Sequence, residues 1–322
     1  MFPFRPRPLP IASCVAGRPA RDLGGTIERC AVLACYVLLA ALAVGCGRLR
    51  DPAALLAVPQ PPPAPATLVA ELAESRRPRQ DRDWKPTHAV LAHAEMDRRG
   101  ATIHNVRRCR WDSESEVAIR YDDWSFRWDE VVALDFVVVP FQNAPLLAHT
   151  MFSFALADGR QLVASVEARL ERGEAYAALA GAARRFELIY VLGDEQDLLG
   201  LRGEIRRDDV YVYRSIASPT ESAEILRDVL ERANGLVAQP EFYDSLTNNC
   251  TSNLVDHIND LRPGSIPDAL RKRLPGHSDS LAYELGLLAT DLPFPVARRQ
   301  AHVTMRIRQH LHDPDFSKKI RR

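Results

Sequence analysis

A cysteine at the start of a predicted helix is the strongest chemical signal in the sequence. Residues 242–255, FYDSLTNNCTSNLV, pass from turn and capping residues into apolar residues at helical spacing, which predicts Cys250 in the first helical turn. Unpaired N–H groups and the helix dipole favour an anion there, so the thiol is biased toward thiolate. We therefore predict that Cys250 is a nucleophile. The plainer alternative is a small, partly buried packing residue.

A histidine and a glutamate are brought together by a predicted β-hairpin. His149 begins a strand over 149–156, residues 157–159 (ADG) form a turn, and a second strand covers 160–169. The glycine suits the left-handed position of a three-residue loop, which would place His149 opposite Glu167 on one face. A two-residue turn would shift the register by one and put the two on opposite faces. We predict the three-residue loop, which makes a base and its orienting carboxylate neighbours.

These residues define a mechanism for acyl chemistry. His149 would take the thiol proton from Cys250, and Glu167 would hold the imidazole tautomer and stabilise the imidazolium. A backbone N–H at the helix start and the side chain of Asn249 would meet the oxyanion. His257 competes for the role of base, but it lies two helical turns beyond the cysteine, about 10 Å away, which is too far.

Composition excludes several other classes of function. The chain has 322 residues, and its 42 Lys and Arg equal its 42 Asp and Glu, so no basic field indicates nucleic acid. Four of the six cysteines lie in the first 46 residues, leaving Cys109 and Cys250 beyond them. No CxxC pair or His/Cys grouping has zinc-ligand spacing, so neither a metal nor another cofactor is predicted. A single Cys109–Cys250 disulfide remains a second alternative role for Cys250.

The N-terminal residues predict export. Residues 30–47, CAVLACYVLLAALAVGCG, carry no charge and follow an arginine-containing segment over 1–29. The arginine excess predicts a cytoplasmic N-terminus with everything after residue 47 outside. A retained transmembrane anchor, a cleaved signal and a lipoprotein modified at Cys46 remain open. All three place the remainder in the bacterial envelope, on the periplasmic side of the inner membrane.

The remainder divides into a linker, a domain and a tail. A Pro/Ala-rich linker is predicted over 48–83, a folded domain over 84–291, and a basic, solvated or flexible tail over 292–322. A capping box at Ser218 predicts a helix, and a charged loop is predicted between the last two strands. Strands are predicted over 101–111, 117–128, 131–141, 186–192 and 210–213. The fold class is therefore α+β.

Five segments together resemble a known family. They are HTMFSF at 149–154, SVEAR at 165–169, ELIYV at 187–191, FYDSLTNNCT at 242–251, and LPG to LAYELGL over 274–287. In combination they resemble the Lnb-type N-terminal periplasmic domain family over roughly 84–291. The resemblance implies a permuted papain-like (NlpC-type) fold, akin to lecithin:retinol acyltransferase. In that fold an antiparallel sheet packs on a helix that bears the cysteine at its N-terminus.

The same resemblance implies Cys250 as nucleophile, His149 as base and Glu167 as the third group. The name-giving members are implicated in lipoprotein N-acylation. The first hypothesis is therefore a membrane-anchored thiol acyltransferase or hydrolase that takes an acyl group from membrane lipid or lipoprotein through a thioester. The second is a cell-wall peptide amidase or cysteine peptidase, and the third is a non-enzymatic envelope binding module. An apolar groove would favour the first, a polar cleft the second, and a buried Cys250 beyond hydrogen-bond reach of His149 the third.

Overall fold

The computed structural model describes residues 77–142, 144–175, 186–267 and 275–322. All of them belong to one compact unit over 71–322. The predicted leader, including the segment 30–47 and Cys46, lies outside the described residues, as does the linker up to residue 76. Within the described part of the chain, no helix combines the length and apolarity needed to cross a bilayer.

A mostly antiparallel sheet forms the centre of the domain. In the described residues it has eight strands in the order β1-β2-β9-β8-β7-β6-β10, with β5 pairing on β2, and β2 runs parallel to β9. Strands β3 and β4 form a separate ribbon. The bounds are β1 His93–Met96, β2 Gly100–Arg107, β3 Arg110–Trp111, β4 Val117–Ala118, β5 Tyr121–Arg127, β6 Val131–Phe141, β7 Ala144–Leu156, β8 Gln161–Arg169, β9 Glu187–Asp194 and β10 Tyr211–Arg214.

Helices cover both faces of this sheet, so the predicted α+β class is confirmed. The α-helices of the described residues are α1 Glu195–Gly200, α2 Pro219–Ala238, α3 Cys250–Leu261, α4 Ser278–Glu284, α5 Phe294–Ala301, α6 Thr304–His310 and α7 Phe316–Lys319. A π-helical turn, Leu201–Ile205, continues α1. Short 3-10 turns lie at Pro86–His88, Trp128–Glu130 and Pro275–His277.

The two sheet faces bury different sets of residues. One face, here the α3 face, presents Phe152, Phe154 and Ala164 to α2 and α3. The other, here the α1 face, presents Met151 and Val163 to α1, α6 and α7. Because side chains alternate along a strand, neighbouring residues of β7 and β8 serve opposite faces.

The capping box predicted at Ser218 begins α2. The Ser218 hydroxyl accepts from the backbone of Glu221, whose carboxylate accepts from the backbone of Ser218, and Pro219 occupies the first helical position. Leu226, Val229 and Leu230 are fully buried on the α3 face of the sheet. The helix is therefore determined both by its cap and by its apolar stripe.

The predicted charged loop after β9 is wrong, because this segment forms α1 and the π-helical turn. Two glycines explain the difference. A Cβ on Gly200 would lie 2.6 Å from a side-chain carbon of Leu311, and one on Gly203 would lie 2.9 Å from Ile307. The segment is helical because the C-terminal helices pack directly against its backbone, a tertiary contact that local composition does not show.

The prediction of a solvated or flexible basic tail is also wrong. Ile307, Phe316 and Ile320 are buried in the core of the α1 face. Arg321 forms ion pairs with two buried carboxylates, those of Asp135 and Glu195. The prediction failed because it relied on the basic composition of the tail. A few apolar residues in it pack against residues that are distant in the sequence.

Candidate active site

Cys250 is the first residue of α3, as predicted. Asn249 precedes it as N-cap: its Oδ1 accepts from the Ser252 N–H at 3.0 Å, and its own N–H donates to Ser252 Oγ at 2.8 Å. The cysteine is only 4% exposed. Its Sγ lies 3.9 Å from the Ala148 carbonyl oxygen and 3.9 Å from Thr251 Oγ1. The thiol is therefore held against β7 by a well-capped helix terminus.

The backbone at this terminus can bind negative charge. The N–H groups of Cys250 and Thr251 have no intrahelical acceptor by position, and none is found among the described residues. The amide of Asn249 is already engaged, since Oδ1 completes the cap and Nδ2 donates to the Ser245 carbonyl at 3.0 Å. An oxyanion at Cys250 would therefore meet the two backbone N–H groups, whereas Asn249 shapes the turn that presents them.

The hairpin that carries His149 has the register expected of a three-residue loop. Gly159 has φ of 90°, and the Leu156 N–H donates to the Arg160 carbonyl at 2.9 Å. The pairs run from Ala155 opposite Gln161 to Met151 opposite Ser165, where pairing between β7 and β8 stops. His149 and Glu167 lie two residues beyond this last pair and on the same face.

Ser165 joins His149 to Glu167. Its Oγ lies 2.7 Å from His149 Nε2 and 2.8 Å from Glu167 Oε1, while the direct distance from Nε2 to Oε1 is 3.8 Å. An ionised carboxylate only accepts, so the serine hydroxyl donates to Glu167 and accepts from Nε2–H of His149. This assigns the proton to Nε2 and leaves Nδ1 with its lone pair. No hydrogen-bond partner of Nδ1 is found in the described part of the chain.

A second histidine, His88, lies beside the other carboxylate oxygen of Glu167. His88 Nδ1 accepts from the Leu170 N–H at 3.0 Å, so the proton of His88 lies on Nε2, which is 3.6 Å from Glu167 Oε2. Burial opposes ionisation of Glu167. The nearby Nε2–H of His88 and the positive charge of Arg202 outweigh it, and the pKa of the carboxyl is held well below its usual value. Glu167 is therefore a fixed negative charge.

His149 is neutral at physiological pH. Burial, reinforced by the positive charge of Arg202, lowers the pKa of its imidazole to about 3, and the opposing effect of Glu167 is smaller. The resting site therefore contains a neutral imidazole beside a carboxylate. An imidazolium forms only if a proton is delivered during reaction.

The structure brings Cys250 close to the backbone of β7 but does not hydrogen-bond it to His149. Thr150 lies on the α3 face, where its Oγ1 is 3.2 Å from Thr251 Oγ1. His149 precedes Thr150 and therefore points to the α1 face, toward Ser165. No hydrogen bond between Cys250 and His149 occurs among the described atoms. The sulfur lies beside Ala148, one residue before the histidine and just beyond the end of β7–β8 pairing.

An apolar cavity begins next to the threonine pair. Its volume is about 100 Å³, and both Thr150 and Thr251 belong to its wall. Most of the other lining side chains are hydrocarbon, among them Phe152, Leu254 and Leu281. A largely hydrocarbon surface therefore lies one residue from Cys250.

Comparison with known families gives one match. Residues 120–275 match the family model described as the Lnb N-terminal periplasmic domain. The match supports the assignment of residues 120–275 to this domain family. No curated protein and no solved structure matches the chain.

The matched residues of this Lnb-type periplasmic domain include Cys250, His149, Ser165 and Glu167. His88 lies outside the matched range. Sequence reasoning missed both Ser165 and His88. For Ser165 a signal exists, because it stands two residues before Glu167 on the same strand and therefore on the same face. His88 had no such signal, since it reaches the site from a distant 3-10 turn.

The alternative disulfide, base and metal site considered from the sequence can also be compared with the structure. Cys109 and Cys250 are both free thiols, and burial, with the charge of Asp197, raises the pKa of Cys109 to about 12. His257 is hydrogen-bonded to Tyr190 Oη at 2.8 Å and to Asp228. Within the described ranges, no group of three or more His, Cys, Asp or Glu side chains is arranged to hold a metal ion.

Proposed function

We propose that this periplasmic domain is a cysteine-dependent acyltransferase or acyl hydrolase of the cell envelope. In a permuted papain-like arrangement, Cys250 would be the nucleophile, His149 the base and Glu167 its orienting group. One observation carries the proposal: the cysteine stands at a capped helix start, one residue from the backbone of a histidine whose tautomer is determined by a serine–glutamate chain. A histidine with a free Nδ1 and an oriented Nε2–H has the geometry of a proton acceptor, and substrate binding would have to raise its pKa above the resting value of about 3.

The reaction would proceed in two halves. The thiol proton moves to His149 Nδ1 as sulfur attacks the acyl carbonyl, whose oxygen is met by the N–H groups of Cys250 and Thr251. The bond to the leaving alcohol or amine then breaks, the leaving group takes the proton from His149, and a thioester remains on Cys250. An amine or water next attacks the thioester, giving up its proton through His149, and the thiol is restored. No cofactor is required.

The cavity favours lipid acyl groups over cell-wall peptide. A peptide buried against a mostly hydrocarbon wall would leave its amide groups without partners, which is unfavourable, whereas an acyl chain loses none. The predicted membrane segment over 30–47, or lipidation at Cys46, would hold the domain at the inner membrane beside lipid and lipoprotein donors. We therefore propose membrane lipid or lipoprotein acyl groups as substrates, with N-acylation of lipoprotein as one outcome.

The test is capture of the acyl-enzyme. The protein is incubated with vesicles of diacyl phospholipid or with a p-nitrophenyl acyl ester, and its intact mass is measured before and after hydroxylamine. We expect a hydroxylamine-sensitive acyl adduct on wild type, none on Cys250→Ala, and a strongly reduced yield with His149→Ala. Cys109→Ala serves as control, because that buried thiol should not matter. An adduct that survives in Cys250→Ala, or no adduct with any donor, would overturn the proposal.

A non-enzymatic binding module is the second candidate, and a specific observation favours it. Cys250 is buried and lacks a hydrogen bond to His149, which is the arrangement expected of that alternative. Catalytic hydrogen bonds are often long before substrate binds and shorten in the complex, so the resting geometry does not by itself decide. A domain that binds acyl chains reversibly but never forms a thioester would be this module.

A further inference from the structure

The apolar cavity follows α3 along its whole length. Its lining takes one stripe of the helix: Thr251, Leu254, Val255, Ile258, Leu261 and Arg262. These positions recur at intervals of three and four residues and therefore share one face. Eleven residues at 1.5 Å each span about 16 Å. The cavity wall is therefore elongated along α3, and we call this elongated cavity the channel; one end of its lining lies beside Cys250.

The other walls of the channel are mostly hydrocarbon, and Ser215, His277 and Ser278 are among their polar members. Leu134, Phe136 and Phe152 of the sheet form one side, and Ile225 of α2 forms another. Leu281 and the residues that follow α4 contribute a further wall. β6, β7, α2, α3 and α4 therefore all contribute apolar side chains to one shared space.

The two ends of the α3 stripe are polar. At the start, the hydroxyls of Thr150 and Thr251 are 3.2 Å apart, and Thr251 Oγ1 is 3.9 Å from Cys250 Sγ. At the other end, Arg262 forms an ion pair with Glu221. A ligand that fits has a polar group at the threonine end, next to the thiol, and an unbranched apolar body.

We propose that a single fatty acyl chain lies in this channel, parallel to α3, with its carbonyl end at Thr150 and Thr251 and its methyl end toward Leu261. The proposal rests on the proposed function for the chemical class of ligand, and it adds the site and the direction of the chain. Each methylene that enters an apolar site strengthens binding about fourfold, so affinity should rise with chain length until the channel is full.

With the acyl chain in this direction, the channel would select acyl chains by their length. Ile258, which also lines the cavity, lies seven residues beyond Thr251, about 10 Å along the helix axis. A larger side chain at Ile258 would block the distal half and leave the proximal half open. Long chains would then be excluded, whereas short chains would still fit.

The experiment measures binding without chemistry. In Cys250→Ala protein, octanoate, laurate and palmitate displace cis-parinaric acid, a fluorescent fatty acid. We expect affinity to increase from octanoate to palmitate. Adding Ile258→Trp should weaken palmitate at least tenfold while octanoate changes less than twofold, which also reports that the variant is folded. Ile119→Trp, an exposed isoleucine outside the cavity lining, is the matched control and should change neither.

Other results would overturn the inference. Equal loss of octanoate and palmitate in Ile258→Trp would refute the direction of the chain, and no displacement by any fatty acid, or no effect of Ile258→Trp, would refute the site. The proposed chemistry is tested separately. If binding increases with chain length but wild type forms no thioester, the acyl-chain site is supported and the acyltransferase proposal is refuted. If a thioester forms with a yield that does not depend on chain length in either wild type or Ile258→Trp, the acyltransferase proposal is supported and the acyl-chain site is refuted.

Discussion

Ser165→Ala is the sharpest test of how the candidate site works. The hydroxyl is fully buried and bridges His149 Nε2 and Glu167 Oε1 at 2.7 and 2.8 Å. Without it, the Nε2–H loses its acceptor, and the nearest carboxylate oxygen is 3.8 Å away, beyond hydrogen-bond range. The imidazole is then free to change tautomer or rotate, and the imidazolium formed during reaction loses its oriented partner.

The expected magnitude follows from these contacts. A hydrogen bond to a charged group contributes about 1.5–3 kcal/mol, and the same range applies to a reaction step in which charge develops on His149. Since each 1.36 kcal/mol is tenfold in rate, acylation of Cys250 should slow by roughly ten- to a hundredfold in Ser165→Ala. The free energy of unfolding should fall by about 2 kcal/mol, because a buried donor is left unpaired.

The assay compares Ser165→Ala with Ser153→Ala. Ser153 is also a fully buried serine on the α1 face, but its hydroxyl donates to Glu195 at 2.6 Å, away from the site. Acyl-adduct formation is followed by mass spectrometry, and stability by urea titration. Both variants should lose stability, and only Ser165→Ala should lose rate. Equal acylation rates in the two variants would refute the assigned role of the serine bridge.

Three further predictions concern stability. Burial lowers the pKa of His149 to about 3, so between pH 6.5 and 3 the unfolded chain binds a proton that the folded chain does not. The free energy of unfolding should therefore fall by about 2 kcal/mol from pH 7 to 5. His149→Gln should remove this part of the pH dependence, as measured by urea titration. Arg321→Met leaves the buried carboxylate of Glu195 without an ion-pair partner, whereas Asp135 keeps its ion pair with Arg214, and should cost about 3–5 kcal/mol. Exposed Arg322→Met should cost less than about 0.5 kcal/mol, and equal melting temperatures of the two variants would contradict this. Gly203→Ala places a Cβ 2.9 Å from a neighbouring side chain and should cost about 1–3 kcal/mol, whereas Gly235→Ala, with open space around it, should gain about 0.5–1 kcal/mol; a gain at both positions would refute the close packing.

Local signals predicted the elements whose first and last residues are determined by nearby sequence. The strand β6 has the predicted bounds, the Ser218 capping box begins α2, and α3 begins at Cys250. The loop containing Gly159 was enough to derive the β7–β8 register. In each case the determining residues lie within a few positions of the feature, so a single sequence contains the information.

Features determined by distant contacts were not predictable in this way. The predicted strand 101–111 ends at Arg107, where β2 makes its parallel contact with β9. His88 contacts Glu167 from 79 positions away in the chain, and Arg321 contacts Asp135 over a separation of 186. Helical periodicity also could not show that the apolar stripe of α3 borders open space rather than a filled core, because that depends on side chains from several distant segments.

The sheet places two kinds of residue on opposite faces. The hydrogen-bonded chain of His149, Ser165 and Glu167, which the proposed function makes a proton-handling chain, lies on the α1 face, and the hydrocarbon channel lies on the α3 face. Cys250 lies beside Ala148, just beyond the end of β7–β8 pairing. Channel substitutions should therefore change KM and leave kcat nearly unaltered, while substitutions in the proton-handling chain should do the opposite. With the two parameters governed by different faces, preference for chain length can drift through mutation without disturbing the acid–base machinery.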